Sequence, residues 1–184
     1  MRKFFELMPD AGLKGYSYVD NYYLGGFDRL SIIQAKRCNQ DELSRVKICI
    51  EDTNLQLADF MGGVIDWPTL SDKFFNLIKD IIFSDVQVLD LPLFSQATGG
   101  EIKGYRLLNI LSLVDCVDKS RSLVTPGIRG EDIITELYIH SNLVPDDVNI
   151  FRIPDCLDGI IVSEEFLARI RGKGLKGVVM SEVS

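Results

Sequence analysis

A serine followed by two charged residues and a phenylalanine occurs twice in this chain, in Ser71-Asp72-Lys73-Phe74-Phe75-Asn76-Leu77-Ile78 and in Ser163-Glu164-Glu165-Phe166-Leu167-Ala168-Arg169-Ile170. A serine hydroxyl at that place accepts a first-turn N–H that has no partner within the helix, and acids beside it suit the positive end of the helix dipole. Each segment leads into a valine-containing stretch of strand character, 85–93 after the first and 174–183 after the second. The sequence around these two helices reads as short strands, so the expected fold is α+β, mostly antiparallel sheet with few helices. The echo itself has two readings. Convergence accounts for it, because serine before acids is simply a good helix start; alternatively it marks two related α-then-β units, a small duplication within one fold.

Aromatic and β-branched residues between Gly and Asp turns place strands at 3–7, 16–23, 30–36 and 46–50, with Gly25-Gly26 and Gly62-Gly63 as loops. Trp67-Pro68 introduces the first helix, which Ser71 caps and which runs through Ile82, with Phe74, Phe75, Leu77, Ile78, Ile81 and Ile82 as a broad apolar stripe. Val86 and Val88 alternate with polar neighbours until the phase shifts at Leu89, Leu91 and Leu93, as in a strand that bulges or ends at Pro92. After a turn at Gly99-Gly100, residues 103–117 are too apolar for exposure on both sides; they read as one long strand or two short ones near a sheet's centre. Further strands are expected around Ile134 to Ile139 and over 148–153 before Pro154. With 184 residues the chain is read as a single domain, in which a strand-rich N-terminal region, 1–66, leads into 67–184.

The formal charge is −7, so nucleic-acid phosphate would be repelled and no nucleic-acid partner is expected. No stretch is apolar for long enough to cross a bilayer, and Met1-Arg2-Lys3-Phe4-Phe5-Glu6 meets an acid too early for a secretory leader, so the expectation is a cytoplasmic protein without a membrane partner. Cys38, Cys49, Cys116 and Cys156 are widely spaced, three of them beside Ile, Val or Leu, which suits buried reduced thiols better than disulfides. Acids are concentrated between Glu131 and Glu165, where Glu131, Asp132, Glu136, Asp146, Asp147, Asp155, Asp158, Glu164 and Glu165 face a single base, Arg152. A basic cluster follows at Arg169, Arg171, Lys173 and Lys176. The segment is either a solvated acidic face beside a helix that gathers cations at its end, or a surface that steers a basic protein partner.

Catalytic signals are few. His140 is the only histidine, and strand alternation would set it beside Tyr138 with Ser141 on the opposite face, so the two do not form a nucleophile and base. No Cys-x-x-Cys pair is present, and Asp115 and Asp118 suit turn capping better than a metal. Asp146-Asp147 after Pro145 is likewise turn chemistry. Gly172-Lys173-Gly174-Leu175-Lys176-Gly177 follows a helix, whereas a phosphate loop follows a strand, and it reads as a helix C-cap with Leu175 packing back. Tyr16, Tyr18, Tyr22, Tyr23 and Phe27 read as core and edge packing or as a recognition surface. The expectation is a chain without cofactor or metal that is not an enzyme; an unrecognised catalytic site around His140 is the competing idea.

The closing pattern resembles the eleventh immunity-protein family of bacterial polymorphic-toxin systems. The resemblance is carried by Tyr105 to Asn109, Asp115, Asp118, Ser122 or a neighbouring serine, Phe151-Arg152, the Val162-Ser163 helix start and Gly174-Leu175-Lys176-Gly177-Val178, with Ser71-Asp72 extending it toward the middle. It implies a cytoplasmic antidote that binds a cognate toxin, basic where the toxin attacks nucleic acid, and neutralises it by stoichiometric occlusion. The carrying residues are of packing and capping type, so the docking residues are sought instead among the acids Glu131, Asp132, Glu136, Asp146, Asp147, Asp155 and Asp158. The alternative is a protein-interaction or regulatory module without a toxin partner.

Overall fold

The computed structural model describes residues 2–10, 12, 14, 16–17, 19–50, 56–61, 66–126, 132–154 and 156–183. The chain opens with β1 (Phe4–Pro9), β2 (Tyr16–Ser17) and β3 (Val19–Tyr23), followed by single-turn helices α1 (Leu30–Ile33) and α2 (Gln40–Leu43). Next come β4 (Lys47–Ile50), β5 (Gln56–Leu57), β6 (Phe60–Met61), β7 (Thr69–Ser71), helix α3 (Asp72–Ile82), β8 (Val86–Asp90), β9 (Leu93–Ser95), β10 (Glu101–Ile102) and β11 (Tyr105–Ile110). The ribbon β12 (Leu123–Pro126) and β13 (Asp132–Glu136), a 3-10 turn at Ser141–Leu143, β14 (Ile150–Ile153), β15 (Cys156–Ser163), helix α4 (Glu164–Ile170) and β16 (Val178–Val183) complete it. The fold is α+β, as expected, and its described strands pair antiparallel except β4 with β9 and β2 with β5. Residues 1–66 and 67–184 interleave, since β1 lies between β15 and β16 while β4 pairs with β9.

Two four-stranded sheets repeat one plan. Their orders are β6-β7-β11-β8 and β14-β15-β1-β16. In each, a hairpin leads into a helix, the helix returns to a second strand, and a strand from elsewhere in the chain fills the gap antiparallel to both. The register agrees: Leu70 faces Phe60 and Arg106, and Val162 faces Ile150 and Phe5. Ser71 with Ser163, Phe74 with Phe166, Ile78 with Ile170 and Val86 with Val178 each stand 92 residues apart.

Hydrogen bonds repeat too. Ser71 Oγ accepts Phe74 N–H at 3.1 Å and lies 2.6 Å from Asp59 Oδ1; Ser163 Oγ accepts Phe166 N–H at 3.2 Å and lies 2.5 Å from Asn149 Oδ1. The two units also cross-brace each other. The N–H groups of Asp59 and Phe60 donate to Lys176 O at 2.9 and 3.2 Å, and those of Asn149 and Ile150 donate to Asp85 Oδ2 at 2.9 and 3.4 Å. Each first strand is thus tied to the helix-to-strand connection of the other unit. Phe74 and Phe166 meet with ring centres 6.1 Å apart inside one core that spans both units, and Arg169 reaches Asp80 at 2.9 Å across the helix pair. Burial of each such ring contributes about 2 kcal/mol, so this seam is a principal source of stability. At Gly177, with φ of +77°, an added Cβ would stand 2.6 Å from Phe60 O, so the brace requires glycine there.

A third sheet, β10-β9-β4-β3, covers a separate core around Trp67, Ile48 and Leu93. Several expectations are corrected. Within 30–36, Leu30–Ile33 form a helical turn: the Asp28 carboxylate accepts Leu30 N–H and Ser31 Oγ–H at 3.0 and 3.3 Å, and these local bonds outweigh the strand preference of two isoleucines. Of the two readings of 85–93, the strand that ends at Pro92 holds: β8 stops at Asp90, and β9, from Leu93, pairs in another sheet. Within 103–117 only β11 is a regular strand, in the interior of its sheet; Leu113 and Val117 make isolated bridges. No strand was expected over Cys156–Ser163, where Asp158 and Gly159 interrupt the pattern, yet β15 is there, paired on both sides.

Candidate functional site

Glu131 and Asp155 lie outside the described residues. Asp132 opens β13 opposite Pro126, and Glu136 closes it, exposed, opposite Leu123. This strand lies against β15. Asp146 and Asp147 are exposed in the turn that Val148 N–H closes onto Pro145 O at 3.1 Å. Asp158, also exposed, sits past the hairpin turn, at the other end of β14. β13 thus contacts the strand that carries Asp158, whereas the 146–147 turn lies at the other end of β14.

The surroundings of Asp158 are the most distinctive on the molecule. Phe151 pairs with Ile161 and Ile153 with Cys156, so two steps on β14 oppose five on β15 and residues 157–160 bulge out. Arg152, on β14, fills the space behind this bulge: its side chain is 1% exposed and Nη1 donates to Leu157 O. Its Nε and Nη2 have no hydrogen-bond partner among the described residues. Burial pulls the guanidinium down to about 10, against the opposing pull of Asp158 and Asp66, so it remains charged at neutral pH. In front of the bulge is a cleft of about 170 Å³ between the two units. Its walls come from Leu7, Phe60, Met61, Trp67, Pro68 and Ile160, and its carboxylates are Glu6, Asp66 and Asp158. Among the described residues none that lines it is basic.

Glu6 and Asp66 were not among the acids singled out in the sequence, because they come from β1 and from the approach to β7, far from the acid-rich segment. A signal did exist: Asp66 stands 92 residues before Asp158, at the same position of the repeated plan. A larger cleft, about 310 Å³, opens at Gly25-Gly26, but there Arg37 and Arg45 are matched by Asp28 and Glu42.

The remaining candidates resolve into local structure. His140 is not on a strand beside Tyr138; it opens the 3-10 turn, with Nε2 3.9 Å from Asp118 Oδ1. That carboxylate caps its own turn, accepting Ser120 Oγ–H at 2.6 Å and N–H at 3.0 Å, and the Ser120 hydroxyl is the chief reason its pKa is lowered. All four cysteines are free thiols, but only Cys116 is buried; Cys38, Cys49 and Cys156 are half-buried. Gly172 and Gly174 take positive φ after α4 and Leu175 packs on the core that joins the units, as a helix C-cap requires. Tyr16, Tyr22 and Phe27 pack on the core beneath the third sheet and Tyr23 is exposed, whereas Tyr18 lies outside the described residues. Among the described residues no group of three or more acids, histidines or cysteines is placed to hold a metal, and no helix is long and apolar enough to cross a membrane. No protein-family model matches the chain, and no curated protein matches it.

Proposed function

We propose that this chain is an immunity-type antidote that binds a cognate toxin protein and neutralises it by stoichiometric occlusion. The observation that carries the reading is the cleft between the units: a preformed, apolar-floored recess whose charged lining groups among the described residues are all acids, on a chain of net charge −7. Such a surface steers a basic protein and gives it an apolar foothold once docked. The resemblance of the closing residues to an immunity family supports the same reading, with Asp158 of the acid-rich segment at the cleft and Glu136 on the strand beside β15. In this reading the cross-braced sheets keep the surface rigid, so little ordering entropy opposes docking.

The test is to express the chain with the product of the neighbouring toxin reading frame in its source genome. The expected outcome is a one-to-one complex on co-purification and restored growth of cells producing the toxin. Absence of both binding and rescue would remove the basis of the proposal.

A further inference from the structure

The geometry points to a specific occupant for the cleft between the two units: the side chain of a lysine or arginine projecting from a protein partner. That the partner is a protein rests on the immunity reading above; that the cleft takes an alkyl cation rests on the following observations alone.

Glu6, Asp66 and Asp158 reach the cleft from β1, from the approach to β7 and from β15, and none of their carboxylates has a hydrogen-bond or ion-pair partner among the described residues. Acids gathered by a turn or a helix start are engaged with backbone N–H groups, as Asp28 and Asp118 are. These three are not. The repeated plan explains how two of them meet: Thr69 and Ile161 hold the same register against Leu107 and Glu6, and Asp66 and Asp158 each stand three residues earlier. The join between the units thus sets two equivalent carboxylates on one recess, and β1 adds Glu6.

With no cation among the described lining residues, a positive group that enters the recess meets three carboxylates at once. Arg152 acts on Asp66 and Asp158 from behind the bulge, but its guanidinium donates to Leu157 O, lines no part of the cleft and forms no ion pair with either carboxylate, so the recess itself stays open to a cation. Divalent metal is disfavoured because no three acids are close enough to ligate one ion among the described residues. The charge is spread along the rim while the floor is Leu7, Phe60, Trp67 and Ile160, and this combination fits an aliphatic stem ending in one cationic head. A polyamine, charged along its length, would set an ammonium group against the apolar floor.

The experiment is a chemical-shift titration of the labelled chain with N-acetyl-lysine methylamide, its arginine counterpart, the uncharged norleucine counterpart, and spermidine. The lysine and arginine probes are expected to shift Glu6, Asp66 and Asp158 amides saturably, at least tenfold more tightly than norleucine, with weakening as salt is raised. In the Asp66→Asn/Asp158→Asn variant, whose thermal midpoint should match the parent's, binding should fall at least tenfold. Equal binding of norleucine, unchanged binding by the variant, or spermidine binding tenfold tighter than lysine would each overturn the assignment. The rescue assay separates the two claims. Full rescue by the double variant would remove the cleft as the docking place while leaving the antidote reading intact, whereas cation binding without any toxin rescue would do the reverse.

Discussion

Two acidic protons, one buried and one half-buried, make the fold sensitive to alkali. Burial, with a smaller contribution from Asp115, pushes the Cys116 thiol from 9.0 to about 11. Burial and then Asp59 push the Tyr105 hydroxyl, which donates to Ala58 O at 3.0 Å, from 10.0 to about 12. Both groups are neutral when protonated, and folding favours that form. Their contribution is therefore complete below the unfolded values and is lost as pH rises through the folded ones. Urea midpoints should be level between about pH 6 and 8 and fall steadily from about pH 9 upward. Cys116→Val should flatten the onset of that fall and Tyr105→Phe its continuation above about pH 10. A midpoint that stays level to pH 11 in the parent chain would show that neither proton is held by the fold.

At the scale of elements, the two capped helices invite a matched comparison. Both serine hydroxyls accept the N–H three residues on, and both are buried against a side chain of the preceding strand's approach, Asp59 in one case and Asn149 in the other. Ser71→Ala and Ser163→Ala should each cost about 2 kcal/mol in urea unfolding, at the upper end for caps because the abandoned partner is itself polar and poorly solvated. A loss below about 0.5 kcal/mol in either would mean that the cap is dispensable there. These caps were legible in the sequence because capping is a local matter, settled within four residues. The strand at Cys156–Ser163 was not, since its bulge is stabilised by Arg152 from the neighbouring strand and by β1 from the far end of the chain. The helical turn at Leu30 was missed for the opposite reason: two isoleucines outvoted one well-placed aspartate. In the candidate site, Asp158 stood out by local charge density, whereas Glu6 and Asp66 become its companions only through tertiary pairing.

For the whole molecule, the central question is what the echo of the two helices means. Convergence on a good helix start explains a serine and an acid. It does not require the same strand order, the same register against a gap-filling strand, a polar side chain before the first strand bonded to each serine hydroxyl, and a reciprocal brace between the units. The structure thus carries the repeated plan well beyond the α-then-β echo that the sequence suggested. The units differ in the origin of the gap-filling strand: β11 follows its unit in the chain, whereas β1 precedes both units. Phe4 pairs directly with Val183, and Lys3 meets Glu182 at 2.7 Å, so β16 could run straight into β1 through a tight turn. A circular permutant that joins residue 184 to residue 1 through two glycines and opens the chain beside Gly12, an exposed turn position, should fold to the same structure. Loop-closure entropy changes by only about 0.6 kcal/mol per doubling of loop length, so its stability should fall within about 2 kcal/mol of the parent. Amide resonances of Glu6, Asp66 and Asp158 should be retained. Failure of β1 to dock, seen as loss of protection on β15 and β16 together, would show that its place depends on chain order and not on the repeated architecture.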